Sequence, residues 1–462
     1  MSNTDLMQCF YTDKDINSIP INVVLKSEFT TWRKEQSEYL QNWIETSQFK
    51  AKSNNVLRVP NEKGELDTVL VIADLEEIVW CLGACAKQLP AGRYHIDSSY
   101  KDNDQIYLGW GLGAYQYSQY KKSKQRVCKL HIDETIDKNQ LTALVQAVAI
   151  VRDMVNAPAS DMMPQHISNE CKAIMQKFDS RISECVGDDL SKENYPVIHA
   201  VGRASVHEPR LIEFNWGSPE HPKVSLIGKG VSFDSGGLDI KTSHGMRLMK
   251  KDMGGAAHVI GIALAIMKLN LPIQLQVLIP AVENAISGNA FRPGDILTSR
   301  SGKTIEIDNT DAEGRLILCE AITKAVEDKP DLLIDFATLT GAARVALGTE
   351  VPAFFTNDDS SAVDLMQASS AVNDPIWRLP LLESYRYMLD SDIADLCNSA
   401  ANGYGGAITA ALYLKEFIPA EVKWIHFDVM AYNMRARVGR PKGGEAMGLR
   451  AVVEFLQRHY TS

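Results

Sequence analysis

The sequence predicts an α/β protein with a small N-terminal α/β domain and a larger three-layer α/β/α domain. Three features point there. At 462 residues the chain is too long for one ordinary core and favours two domains. From about Met163 onward, short apolar runs with strand character alternate with amphipathic helical runs, the pattern of a sheet covered on both faces. Between the two regions, LTALVQAVAIVRDMVNAP has apolar residues at helical spacing and stops at Asn156-Ala157-Pro158, where the proline discourages continuation. The expected division is therefore 1–138 for the N-terminal domain, 139–162 for a linker helix and connection, and 163–462 for the larger domain.

In chain order, INVVLKSEF, TVLVIADL and RVCKLHID read as strands, and TTWRKEQSEYLQNWIETS as one helix. In the larger domain KVSLIGKGVSFD is a nearly all-apolar strand, and GGAAHVIGIALAIMKL is a helix. QLQVLIPAVEN is again a strand, GRLILCEAITKAVED a helix and DLLIDFATLT a strand. VKWIHFDV and EAMGLRAVVEFLQRHY close the chain as strand and helix. There is no internal repeat and no low-complexity stretch.

Composition narrows the function classes. Hydrophobic residues make up 45% and charged residues 23%, as in a globular protein. The net charge of -10 and a pI of about 5.6 argue against general affinity for nucleic acid or anionic membrane. The start, MSNTDLMQCFYTDK, lacks a basic segment followed by an apolar one, and no run approaches ~18 uninterrupted apolar residues, so neither a secretion signal nor a membrane span is expected. The eight cysteines form no CxxC pair and read as reduced, mostly buried thiols of a cytoplasmic protein.

Two segments concentrate charge beside apolar strands. GKGVSFDSGGLDIKTSHGMRLMKKDMGG holds Lys229, Asp234, Lys241 and Asp252; IEIDNTDAEGRL holds Asp311, Glu313 and Arg315. In an extended chain Asp311 and Glu313 point to the same side, and carboxylates so close repel unless a cation sits between them. Asp234 falls at the C-terminal end of a strand, the edge where open α/β sheets bind ligands. Gly236 and Gly237 allow a tight turn and close approach to a ligand. Hard oxygen donors without a Cys or His cluster favour Mg or Mn, with Zn also admissible. Four acids suffice to bridge two ions at ~3.5–4 Å, although any single strand-end Asp is more often a cap or a solvated acid.

NTDAEGRL at 309–316, flanked in order by FDSGGLDIK, KKDMGGAA, VENAISGNAFRPGDI and DFATLTGA, resembles the leucine aminopeptidase family, the M17 metallopeptidases. The resemblance extends from about Asn156 to the end. It implies two divalent ions, Mn or Zn with Mg also allowed. One exchangeable ion falls to Asp234, Asp311 and Glu313. A tighter ion falls to Lys229, Asp234, Asp252 and Glu313. Lys229 would have to act as the neutral amine, since an ammonium has no lone pair; by residue type alone it reads as a lysine reaching for water. Lys241 is similar to the family lysine that stabilises the oxyanion, and Arg315 to the arginine that holds a bicarbonate serving as general base. Met249, Thr338 and Gly341 match positions lining the pocket for the first side chain. The resemblance thus implies a homohexameric aminopeptidase that hydrolyses the N-terminal peptide bond of peptides with a free N-terminus, preferring leucine and other apolar first residues.

Other readings fit less well. A two-metal phosphoesterase would use similar carboxylates, and a DNA-binding role is a further rival, against which the acidic balance weighs. Gly109-Trp110-Gly111-Leu112-Gly113-Ala114 after QIYL fits a dinucleotide fingerprint, but reads better as a glycine-rich helix start. The ten histidines form no HExxH or HxH group, and KKSKQR reads as a solvated basic face.

Overall fold

The computed structural model describes residues 6–13, 17–121, 127–400 and 402–461. The chain forms two compact units: 1–149 with 434–442, and 150–433 with 443–462.

In the first unit, β1 (Phe10–Tyr11), β2 (Ile19–Leu25), β3 (Val56–Pro60), β4 (Leu66–Ala73), β5 (Gly92–Ile96) and β6 (Cys128–His131) form one sheet. Its order is β1-β6-β5-β2-β4-β3, and only β3 runs antiparallel to its neighbour. The three strands read from sequence correspond to β2, β4 and β6. The segment expected as one helix is two, Phe29–Lys34 and Glu38–Thr46. Ser37 ends the first path with ψ 150° and accepts a hydrogen bond from the Leu40 amide, capping the second helix. Both helices cover Val24, Leu57, Leu70 and Ile72 with Trp32, Ile44 and Trp43.

The glycine-rich segment corrects two expectations. QIYL is not a strand: it lies in the helix Asp104–Ala114, and the glycines occupy that helix's second half rather than its start. They serve packing. A Cβ on Gly109 would lie 1.7 Å from the Val79 carbonyl oxygen, so the helix rests directly on backbone, leaving no room for a phosphate there. Of KKSKQR only Lys121, exposed, falls within the described residues.

The helix Lys138–Asn156 is continuous and leads into the second unit. There the strands are β7 (Arg181–Val186), β8 (Arg210–Trp216), β9 (Lys223–Gly228), β10 (Gly230–Asp234), β11 (Gln274–Asn284), β12 (Ile296–Thr298), β13 (Thr304–Glu306), β14 (Leu332–Ala337), β15 (Ala353–Thr356), β16 (Trp377–Arg378), β17 (Leu396–Cys397), β18 (Lys423–Asp428), β19 (Tyr432–Asn433) and β20 (Gly443–Gly444). The main sheet runs β16-β15-β18-β14-β9-β11-β8-β7, with β10 also on β11. β18, β14, β9 and β11 are mutually parallel, so their C-terminal ends share one edge. On one face Leu333 and Trp424 pack with Leu316 and Ala411 from the helices Glu313–Glu327 and Gly406–Lys415. On the other, Phe336 stacks between Phe427 and His258 of the helix Gly254–Leu269. Both faces are thus covered, as the apolar strands require.

The single strand expected over 223–234 is two. The chain breaks at Lys229, whose amide donates to the Phe336 carbonyl at 2.9 Å and whose carbonyl accepts from the Ala256 amide at 2.8 Å. β10 then joins β11 alone. Lys229 is held at the sheet edge, between strand ends and a helix start.

The expectation of no membrane-length segment needs qualifying. Met249–Leu269 reaches a mean hydropathy of 1.4, but 89% of that window is buried inside the protein. It is the apolar core helix a two-faced sheet demands.

Candidate metal centre

The C-terminal edge of the parallel strands gathers the charged residues of both sequence segments. Asp234 ends β10, and Asp252 sits in the short turn Met249–Met253 just before the helix Gly254–Leu269. Glu313 is the first residue of the helix Glu313–Glu327, with Asp311 in the turn before it. The extended geometry expected for Asp311 and Glu313 is therefore absent; a turn running into a helix start brings both to the site. Lys229, Asp234, Asp252 and Glu313 are each 3% exposed or less. Ligand oxygens of Asp234, Asp252 and Glu313 all lie within 4.8 Å of one another, the only such group of potential metal ligands among the described residues.

Two lysines thread the acids together. Lys229 Nζ lies 2.7 Å from Asp252 Oδ2 and 2.8 Å from Glu313 Oε1. Lys241 Nζ lies 2.7 Å from Asp234 Oδ2 and also pairs with Asp311. Gly314 makes the first arrangement possible: a Cβ there would stand 2.5 Å from Lys229 Cε.

Asp234 and Asp252 are each aimed by a side chain from outside the two charged segments. Asp234 Oδ1 accepts from the Asn284 amide group and from the Gly236 amide, both at 2.9 Å. Thr338 donates to Asp252 Oδ1 at 2.7 Å. Thr310 ties the two segments, donating its hydroxyl to the Gly236 carbonyl at 2.7 Å while its amide donates to Asp239 at 2.7 Å. Gly236 and Gly237 do turn with positive φ, and their missing Cβ atoms make room for Asp239, Thr310 and Asn284. The sequence signal available was position: Asn284 ends the strand QLQVLIPAVEN, and Thr338 directly follows β14, both at the site edge.

Electrostatics follow from four acids and two ammonium groups in one buried place. Burial pushes Glu313 up, reinforced by Asp234 and Asp252 against Lys229, to about 8. Burial and Asp234 raise Asp311 to about 6 despite Lys241. Burial works against the Lys229 ammonium, but Asp252, Glu313 and Asp234 overcome it and hold that group above its ordinary range; Lys241 is held up in the same way by Asp234, Glu313 and Asp311. Asp252 is held well below the usual carboxylate range, because Lys229 and Lys251 outweigh its burial.

Asp252 Oδ2, Asp311 Oδ1 and Glu313 Oε1 are buried and accept no hydrogen bond, although a lysine lies within ion-pair reach of each. Converging buried carboxylates, faced only by ammonium groups that must be desolvated to sit there, suit divalent cations better. The donor set therefore fits metal.

Arg315 lies within the first turn of the helix, 8% exposed, donating from Nη1 to the Asn398 carbonyl at 2.8 Å. Burial lowers its pKa, and its buried Nε has no partner, so a donor remains for an anion. Of the three residues expected to line the first-side-chain pocket, Thr338 is buried, Met249 opens the turn that carries Asp252, and Gly341 begins the helix Gly341–Leu347 with open space where a Cβ would be. The histidines stay out of the cluster: His258 bridges Gly254 and Met447, and His426 pairs with Asp335. All eight cysteines are free, and seven are buried.

Residues 149–453 match the model of the cytosol aminopeptidase family, catalytic domain, and residues 19–133 that of the M17 aminopeptidase N-terminal domain. The chain is 36% identical over 438 residues to a probable cytosol aminopeptidase of Rhodococcus jostii, covering 88% of this chain and 86% of the relative. It is 40% identical over 361 residues to one of Chlamydia abortus, covering 74% and 72%. Among solved structures, the cytosol aminopeptidase from Coxiella burnetii superposes with a TM-score of 0.94 at 44% identity, covering 98% of this chain and 99% of that one. The bottromycin maturation enzyme BotP in complex with Mn superposes with a TM-score of 0.87 at 29% identity, covering 96% and 99%.

Proposed function

This chain belongs to the cytosol aminopeptidase family, and from that premise we propose that it removes residues one at a time from the free N-terminus of peptides, using two divalent metal ions. The observation that carries the reading is the buried convergence of Asp234, Asp252 and Glu313, whose ligand oxygens lie within 4.8 Å of one another. Asp234, Asp311 and Glu313 would hold the exchangeable ion; Lys229, Asp234, Asp252 and Glu313 the tighter one. Manganese is the favoured occupant, given oxygen-rich donors and a neighbour solved with Mn, with zinc and magnesium as alternatives. When bound, such a pair supplies Lewis-acid polarisation and a water nucleophile at neutral pH.

The chain's own residues complete the site. Thr338 and Asn284 fix the carboxylates of Asp252 and Asp234. Lys229 must surrender its proton to serve as ligand, because an ammonium offers no lone pair. Lys241, the more exposed lysine, would turn from Asp234 and Asp311 toward the oxygen that gains charge at the attacked carbonyl once metal takes those acids. Arg315 is the residue to hold a bicarbonate, the implied general base, on its open Nε edge. Met249, Thr338 and Gly341 line the pocket for the first side chain, and the methionine suits leucine and similar apolar groups. The assembly proposed is a homohexamer acting in the cytoplasm.

Exopeptidase action predicts dependence on a free α-amine, the substrate's own contribution to the centre. Leucyl-glycyl-glycine should release leucine, and its N-acetylated form should be cleaved at least ~100-fold more slowly. Equal cleavage of both would overturn the reading.

A further inference from the structure

The carboxylates of the cluster are supported unequally. Asp234 and Asp252 each accept a hydrogen bond from a buried side chain, that of Asn284 and of Thr338 respectively. Among the described residues the Asp311 carboxylate has no such donor apart from its pairing with Lys241, and it is the least buried of the four acids. Its direction therefore rests on the backbone turn that carries it, 308–312.

That turn is closed by a residue 90 positions on from Asp308. Asn398 is fully buried, and its side-chain amide uses every hydrogen-bonding site it has. Oδ1 accepts the amides of Asp308 and Asn309 at 2.9 and 3.2 Å. Nδ2 donates to the carbonyls of Asn309 and Ala312 at 2.7 and 3.4 Å. Asp311 lies between these anchor points, and its own amide donates to Asn309 Oδ1 at 2.8 Å. The main chain of Asn398 serves the same region, since its carbonyl accepts Arg315 Nη1 at 2.8 Å. Asn398 is itself held from behind: it follows β17, which pairs in parallel with β13, and its amide donates to the Glu306 carbonyl at 2.9 Å. Moving the turn would strand the buried Asn398 amide without partners, a cost that an exposed turn rebonded by water avoids. Lys229 and Asp252 are joined instead by Thr338, which accepts Lys229 Nζ on its carbonyl at 3.4 Å and donates its hydroxyl to Asp252.

Resting on the two-metal reading, we propose that Asn398 is the positioning residue of the exchangeable-ion site: by locking the turn 308–312 it presents the Asp311 carboxylate for coordination. The tighter ion, whose ligands Lys229 and Asp252 are held through Thr338, does not depend on it.

The test is calorimetric titration of the metal-free full chain with Mn, which needs no turnover. Wild type should take up two ions per subunit with separable affinities. In Asn398→Ala the weaker ion should bind about 10- to 100-fold less tightly, while the affinity for the tighter ion changes by less than about 3-fold. Asn398→Asp is the milder variant, keeping an acceptor for the Asp308 and Asn309 amides and losing the donors to Asn309 and Ala312. It should show the same selective loss at a smaller size, about 3-fold or more. Its added negative charge alone would strengthen cation binding, so a loss there comes from the turn. Thermal melts followed by circular dichroism identify the folded variants, and Asn398→Asp carries the test where Asn398→Ala does not fold. Undiminished binding of the weaker ion, or equal weakening of both ions in a folded variant, overturns the proposal while leaving the aminopeptidase reading intact. A wild-type chain that takes up fewer than two Mn ions per subunit overturns the two-metal reading, and the proposal with it.

Discussion

Glu313, raised to about 8, and Asp311, raised to about 6, hold protons near neutrality that a metal ion would have to displace. The sign is fixed by the ligand chemistry: ions bind the carboxylates and a neutral Lys229, so uptake expels protons and strengthens as pH rises through 6 to 8. Calorimetric titration of metal-free protein with Mn at about pH 7, in buffers of differing ionisation enthalpy, should register at least one proton released; an apparent affinity flat across that pH window would contradict the assignment. At this scale the sequence was legible in part. The acids could be picked out by density and by place at strand ends, and they converge. Lys229 as a ligand came only through resemblance, because a lysine carries no sign of how far its proton can be drawn. Asn284, Thr310 and Asn398 were not picked out, and Thr338 came only through resemblance and as a pocket position, since each acts by hydrogen bonds from a separate strand end or turn, which linear spacing does not encode.

Among elements, strong apolar periodicity translated into structure closely: QLQVLIPAVEN coincides with β11, and the helix after Asp252 runs Gly254–Leu269 as read. What failed were interruptions. Ser37 divides one helical pattern because its side chain caps the next turn, and Lys229 divides one strand because its backbone bonds turn to β14 and a helix start. The glycine-rich helix Asp104–Ala114 misled for a related reason: its glycines answer a neighbour distant in sequence, the Val79 backbone, rather than a ligand. That contact makes a prediction. Gly109→Ala should lower the melting temperature of the chain by several degrees, as overpacking of about 1–3 kcal/mol or more would, since its Cβ has no flexible side chain to displace. An unchanged melting curve would show that the helix and Val79 are not in contact.

For the whole molecule, an acidic chain of two compact α/β units places its densest charge at one edge of the larger sheet, where four parallel strands end and two helices begin. Layered architecture was readable from alternating runs because a sheet buried on both faces needs apolar strands and one-sided helices. The joining of residues 434–442 to the first unit was not, because no local pattern marks which of two cores a late loop will serve. The central claim, that the buried acids hold metal for cleavage of an N-terminal peptide bond, is met most directly by following leucine release from leucyl amide, with and without added Mn, for wild type and Glu313→Ala. Release that needs Mn and falls at least ~1000-fold in the variant is the predicted result. Release at an equal rate by Glu313→Ala, or none from wild type under any divalent metal, would contradict it.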